Sequence, residues 1–268
     1  MRHRKAAADD FGEVNFSDYG KVRFMHLGSE WVQGTMKIDA PFDIHLEYIE
    51  RMMAWLLFVT GPSVGKRHAM QLGLGAASIT KFCHKHLRMR TTAIEINPRV
   101  VLACRQWFKL PPDDKNLQIV VADAAREIQR SQWLGTVDAL QVDVYDHEAA
   151  APLLDSEDFY ADCRRLLTDD GAMTVNLFGR ASSFDASLAK IVAVFGAQAV
   201  WVFKPTKEGN TVVLAQRTPR RPGFGVMAER ATEMQARWKV RTGTWLHVFN
   251  PLVPEPEPVA GVTSTGPG

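Results

Sequence analysis

Cysteine is scarce in this chain, and the three residues present, Cys83, Cys104 and Cys163, stand too far apart to form a metal-binding pair. They are predicted to be free thiols in a reducing compartment, which sets aside a disulfide-stapled secreted fold. Charge of one sign is also lacking. The 32 basic and 30 acidic residues leave a formal net charge of +2, so the overall balance gives no reason to expect a nucleic-acid partner. No apolar run reaches membrane length: the longest, residues 52–60, is about half of a span. The charged start Met1-Arg2-His3-Arg4-Lys5 has no apolar leader behind it, and the expected location is the cytoplasm, with no membrane partner. Internal repeats are absent. What the chain does have, over 268 residues, is 46% apolar content, ample for a packed core.

The informative stretch runs from His68 to Asp146. A buried apolar strand over 68–72 leads into the glycine turn Gly73-Leu74-Gly75-Ala76-Ala77, then a helix, then a second strand ending in Glu95. A third strand stops at Asp123-Ala124, and a fourth, over 137–143, delivers Val144-Tyr145-Asp146. Strand, glycines, helix and an acid about twenty positions further on form the physical pattern of a nucleoside site on an open parallel sheet. Gly73 and Gly75 let the backbone approach the ligand without Cβ obstruction, while Glu95, followed by Ile96, stands where a carboxylate accepts hydrogen bonds from the two ribose hydroxyls. Asp123 and Ala124 fall where the adenine amino group would lie, and Asp123 also reads as a helix N-cap; both roles are compatible.

The remaining pattern predicts an α/β protein: a Rossmann-like, seven-stranded sheet of the methyltransferase type, preceded by a small antiparallel β unit. Residues 1–12 lack periodicity and are expected to be disordered; 13–60 form the small β unit and an amphipathic connecting helix over 46–57. Residues 61–217 are the nucleoside-binding domain, with 61–65 as its linker and a late hairpin through the loop 204–210 that forces one antiparallel strand. Residues 218–250 read as a helical extension with a solvated basic face, and 251–268 as a disordered Pro/Gly-rich tail. Cys83-His84-Lys85-His86 is metal-like at a glance. On a helix, however, residues two apart do not share a face, and no metal is expected.

These residues resemble the spermidine synthase family, the aminopropyltransferases built on the class I S-adenosylmethionine-dependent methyltransferase fold. Gln33-Gly34-Thr35 is similar to the family's early glutamine segment, and Tyr48 stands where a substrate-lining Tyr-His pair follows. Ala93-Ile94-Glu95-Ile96-Asn97-Pro98 matches the strand whose glutamate binds ribose, and Asp143-Val144-Tyr145-Asp146 resembles the family's Asp-x-x-Asp-Pro segment. The resemblance implies that Asp143 is the catalytic base, that Asp146, Tyr145, Gln33 and Tyr48 face the amine, and that the co-substrate is decarboxylated S-adenosylmethionine. It also implies a small-molecule amine partner such as putrescine and, as is common in the family, a homodimer. Departures from the pattern are Ala76, where the family has an aspartate that holds the donor's amino group; His147, where it has proline; and the missing Tyr-His pair. Ala76 is expected to weaken discrimination between intact and decarboxylated donors, and Ala76→Asp to restore it. A methyltransferase using intact S-adenosylmethionine and a non-catalytic nucleoside-binding protein are the competing functional readings.

Overall fold

A computed structural model describes residues 13–28, 31–59, 61–144, 154–178 and 181–254. The β-forming segments near the start give an antiparallel three-stranded sheet, β1 (Val14–Tyr19), β2 (Val22–Leu27) and β3 (Val32–Lys37). Gly20, at φ +58°, turns the first hairpin. Its inward methionines, Met25 and Met36, are buried against Leu74, Ala76 and Ala77 of the glycine turn and against Phe108. The small sheet is therefore a cover over that turn.

The single helix expected over 46–57 is instead two pieces, α1 (Glu47–Arg51) and a tight 3-10 stretch, Ala54–Phe58. Every residue from Ile49 to Phe58 is buried, so this segment is packed on both sides rather than on one apolar face. Carbonyls along it are taken by side chains from the flanking layers: Thr174 Oγ1 donates to the Met52 carbonyl at 3.0 Å, and Arg230 donates to that of Leu57 at 2.6 Å. Leu56 N bonds the Met53 carbonyl and leaves that of Met52 to Thr174, and the helix breaks there; Leu57, at the segment's end, has a carbonyl without a helical partner that Arg230 satisfies. The expected linker over 61–65 is likewise a 3-10 stretch, Gly61–Lys66.

Strands and helices then alternate: β4 (His68–Leu72), α2 (Ser78–Lys85), β5 (Arg90–Glu95), α3 (Pro98–Trp107), β6 (Leu117–Val121), α4 (Ala124–Glu127) and β7 (Val137–Val142). After these come α5 (Glu157–Leu166), β8 (Leu167–Phe178), α6 (Ala181–Phe195), β9 (Val200–Phe203) and β10 (Asn210–Gln216). Local chemistry sets several boundaries. Pro98 opens α3 behind an Asn97 side chain that caps Arg99 N at 2.9 Å, and Ser156 caps α5 through Phe159 N at 3.1 Å. Asp169-Asp170-Gly171 lies inside β8 beside a register irregularity at Val137. A Cβ on Gly171 would sit 2.7 Å from the Val137 carbonyl oxygen.

All seven expected strands join one sheet, and an eighth joins them from the C-terminal extension. That extension comprises α7 (Phe224–Trp238), α8 (Trp245–Val248) and β11 (Phe249–Pro251), and the strand order is β11-β9-β10-β8-β7-β4-β5-β6. The extension is thus built into the sheet. Phe249 stacks on Phe203 with ring centroids 4.3 Å apart, and Met227, Ala231 and Met234 of α7 pack into the core that holds Ala54–Phe58. Strands β6, β5, β4, β7 and β8 run parallel, while β10 is antiparallel between β8 and β9. From β4 the chain moves outward through β5 to β6 and then returns to β7 on the other side of β4. That reversal opens a crevice beyond the carboxyl ends of β4 and β7, the place where open α/β sheets bind ligands.

Gly73 closes the inner wall of that crevice. It has φ +82°, and a Cβ there would lie 2.2 Å from the backbone oxygen of Asp143. Gly135 has φ +65° with nothing near its missing Cβ. Gly73→Ala is therefore expected to destabilise the protein by roughly 3 kcal/mol or more, against about 1 kcal/mol for Gly135→Ala, which carries the backbone strain alone. Urea unfolding of the two variants measures the difference, and equal losses would remove the steric account of Gly73.

Candidate active site

The site is assembled where β4, β5 and β7 end together. Gly73 N donates to the Ile94 carbonyl at 2.9 Å, and Asp143 N donates to the Leu72 carbonyl at 3.0 Å. The glycine turn that follows is pressed by β3 from above: a Cβ on Gly75 would meet the Gln33 carbonyl oxygen at 2.9 Å, and one on Gly34 would meet Ala76 Cβ at 2.7 Å. Backbone thus meets backbone on both sides of the turn.

Glu95 binds this assembly to the next helix. One carboxylate oxygen accepts from Leu74 N at 2.8 Å and the other from Asn97 N at 2.8 Å. Burial raises its pKa, while the backbone donors of Asn97, Leu74 and Ile96 oppose that rise. With three backbone donors on about four acceptor sites, the carboxylate that shapes the turn keeps acceptor capacity for one further hydrogen bond. Ile96 beside it is an exposed apolar side chain. Asp123 caps α4, accepting from Ala125 N at 2.9 Å, with Arg126 3.7 Å from its other oxygen and Ala124 buried behind it.

Asp143 stands at the end of β7, and two neutral donors hold its carboxylate. The Tyr48 hydroxyl, from α1, donates to Oδ2 at 3.2 Å; the Asn176 amide, from β8, donates to Oδ1 at 3.0 Å. Burial pushes the Asp143 pKa up to about 6, against these two hydrogen bonds, which lower it. Asn176 was not singled out in the sequence. Its signal was there in the period-two run Ala172, Thr174, Asn176, which places it on the same sheet face as Asp143 and at the same end.

Gln33 lies on β3 above the turn, and its buried side-chain NH₂ has no hydrogen-bond partner among the described residues. The unpartnered Gln33 amide on β3, a cradle that a single Cβ would fill, and a carboxylate with remaining acceptor capacity are together compatible with a nucleoside. Ala76 behaves differently from expectation. It is 2% exposed and its Cβ faces Gly34, so an aspartate there would extend into the underside of β3, and the gain of donor selectivity expected from Ala76→Asp does not follow. Tyr145, Asp146 and His147 lie outside the described residues. On α2, Cys83 is buried, and beyond it His84 pairs with Asp114 at 3.4 Å and His86 with Asp43 at 2.9 Å, in separate places.

No family model matches the chain. Among curated proteins it is 31% identical over 248 residues to the polyamine aminopropyltransferase of Chromobacterium violaceum, covering 92% of each chain. It is 32% identical over 235 residues to that of Neisseria meningitidis serogroup A, covering 87% of each. Among solved structures, a probable spermidine synthase from Corynebacterium glutamicum superposes with a TM-score of 0.68 at 19% identity, over 83% of each chain. Human methyltransferase-like protein 13 in complex with SAH gives 0.63 at 22% identity, over 82% of this chain and 99% of that one. A spermidine synthase bound to the transition-state analogue AdoDATO gives 0.57 at 17% identity, over 84% and 78%. These structural likenesses fix the fold, and the sequence relatives fix the family: the chain belongs to the polyamine aminopropyltransferases, the spermidine synthase family, and is a transferase on a methyltransferase-like α/β fold.

Proposed function

We propose that this protein transfers an aminopropyl group from decarboxylated S-adenosylmethionine to a small alkylamine such as putrescine, with Asp143 as the base. The observation that carries the reading is the Asp143 carboxylate, held by Tyr48 and Asn176 at the switch point of the sheet and pushed up to about 6. An alkylamine with a pKa near 10.4 is protonated at pH 7, and freeing it costs about 4 to 5 kcal/mol. A carboxylate ionised above pH 6 attracts the ammonium, orients it and accepts its proton. The freed nitrogen lone pair forms a bond to the propyl carbon of the sulfonium donor, the carbon–sulfur bond breaks with its electrons going to sulfur, and methylthioadenosine leaves. Alignment supplies much of the acceleration, since the donor already carries its leaving group. No step requires a metal.

In this reading Gly73 and Gly75 admit the nucleoside, Glu95 takes the ribose hydroxyls, Ile96 packs on the adenine, and Asp123 with Ala124 faces its amino group. Gln33 and Tyr48 line the amine side, as do Tyr145 and Asp146 by their place in the motif. The enzyme works in the cytoplasm as a homodimer. Methyl transfer from the intact donor is the second reading, and it is favoured by the lack of any acid among the turn residues Gly73-Leu74-Gly75-Ala76-Ala77 that could repel the methionine carboxylate.

Three outcomes test this assignment. Glu95→Ala is expected to weaken methylthioadenosine binding by about 1.5 to 3 kcal/mol in calorimetry, since it removes charged acceptors and the tie on Leu74 together; unchanged affinity would take Glu95 out of the site.

Asp143→Asn is expected to lower turnover at least about a hundredfold with product affinity nearly intact. Its stability should move the other way. The native Asp143 pKa of about 6 lies above the ordinary 3.8, so the fold holds an extra proton between those values and loses roughly 2 to 3 kcal/mol as pH rises through 6. The Asn variant should therefore melt above the wild type at pH 8, with the gap closing toward pH 4. Preserved turnover would place the base elsewhere.

Intact and decarboxylated donors are expected to bind within about tenfold of each other, roughly 1.4 kcal/mol, in a competition titration against methylthioadenosine. A hundredfold preference for the decarboxylated donor would point to an acid outside the glycine turn, and the same preference for the intact donor would put methyl transfer first.

A further inference from the structure

We propose that Asn210 is a positioning residue for Asp143: by fixing which end of the Asn176 amide faces the carboxylate, it holds Asp143 in the ionised state that receives the proton. The proposal rests on the reading of Asp143 as the base. Asn210 opens β10 opposite Phe178 of β8, at the end of the loop 204–210. Its side-chain NH₂ donates to Asn176 Oδ1 at 3.1 Å, and the Asn176 NH₂ donates onward to Asp143 Oδ1 at 3.0 Å. Asn210 is itself held on the loop side. Its backbone N donates to Thr206 Oγ1 at 3.2 Å, and Thr206 N donates to the Asn210 carbonyl at 2.8 Å, with Thr206 buried.

A primary amide has an acceptor at one end and two donors at the other, with nearly equal size, so its partners decide its orientation. Asn176 is 4% exposed, and water has little access to make that decision. A donor at position 210 draws the Asn176 oxygen toward itself and leaves the NH₂ for Asp143, which favours the charged carboxylate. The reverse orientation sets the Asn176 oxygen against a carboxylate oxygen, and that is tolerated only when Asp143 carries a proton. The Asn210 side chain therefore acts on Asp143 through one intervening amide.

Among the described residues the other donor to Asp143 is the Tyr48 hydroxyl, which acts on the carboxylate directly and not through Asn176. From α1 it is faced by the Tyr48 hydroxyl and from β8 by Asn176, while Gly73 at the end of β4 presents only backbone. Asp143 forms no ion pair among the described residues. The nearby charged side chains have their own partners: Glu47 pairs with Arg51, and Glu95 is taken by Leu74 N and Asn97 N. Lys204, Lys207 and Glu208 in the loop are exposed to solvent.

The test reads the Asp143 proton directly, by carbon-13 labelling of aspartate carboxyls in the full chain, with the Asp143 signal assigned by its loss in Asp143→Asn. Asn210→Asp presents only acceptors, and Asn210→Leu removes both donor and acceptor without adding charge. The proton affinity of Asp143 is expected to rise at least about tenfold in Asn210→Asp and about threefold in Asn210→Leu, with methylthioadenosine affinity unchanged as the check on folding. Asn210→Ser, too short to reach Asn176, serves in place of the Leu variant if that one does not fold. An Asp143 titration in Asn210→Leu or Asn210→Ser that coincides with the wild type overturns the proposal, even if Asn210→Asp shifts, because charge alone would then account for the shift. If the carboxyl titration moves but the acid limb of the turnover profile does not, Asn210 still positions Asp143 and it is the assignment of Asp143 as the base that falls.

Discussion

The absence of a side chain at Gly73 is the constraint on which the rest of the site depends. With φ +82° and the Asp143 backbone oxygen 2.2 Å from where a Cβ would be, β4 and β7 can finish side by side only because that position carries a hydrogen atom. Their convergence sets the separation between the nucleoside turn and the carboxylate at the end of β7. The same logic recurs above the turn, where Gly34 and Gly75 let β3 lie directly on it. Close backbone contact on both sides makes the turn rigid without any hydrogen-bonded side chain of its own.

Two carboxylates sit on this frame, Glu95 buried and Asp143 half-buried, and their surroundings differ. Glu95 is wrapped by backbone N–H groups that fix its geometry. Among the described residues Asp143 has neutral side-chain donors alone, and burial leaves it near 6. The difference is positional. Glu95 precedes a helix start, where unpaired N–H groups are available, whereas Asp143 ends a strand whose neighbours contribute side chains.

Tyr48 reaches Asp143 from a short helix that is anchored far from the crevice. Glu50, on the same helix and 2% exposed, pairs with Arg241 of the C-terminal extension at 2.8 Å, and Arg241 also donates to the His45 carbonyl at 2.9 Å. Burial raises the Glu50 pKa and the Arg241 guanidinium opposes that rise. The extension, continuous with the sheet through β11, thereby braces the element that presents Tyr48 to Asp143.

By itself the sequence determined the parts of this protein that are written in local chemistry. The order of strands and helices, the glycine turn at Gly73 and Gly75, the acids Glu95, Asp123 and Asp143 at strand ends, and the helix cap at Asp123 were all legible there, because apolar periodicity and turn residues act over a few positions. Only the tertiary structure decided what depends on neighbours distant in the chain. Thr174, more than a hundred residues away, takes the Met52 carbonyl at the point where the helix expected over 46–57 breaks. Phe249 and Asn250 become an eighth strand because β9 offers a free edge and Phe203 a stacking surface. Ala76 looked like an open position waiting for an acid until Gly34 was seen to cover it, and Asn176 and Asn210 gain their importance from register across β7, β8 and β10. A strand's pattern shows which face a residue takes; which strand lies beside it is set by long-range pairing, and in this protein the pairing places two amides behind Asp143.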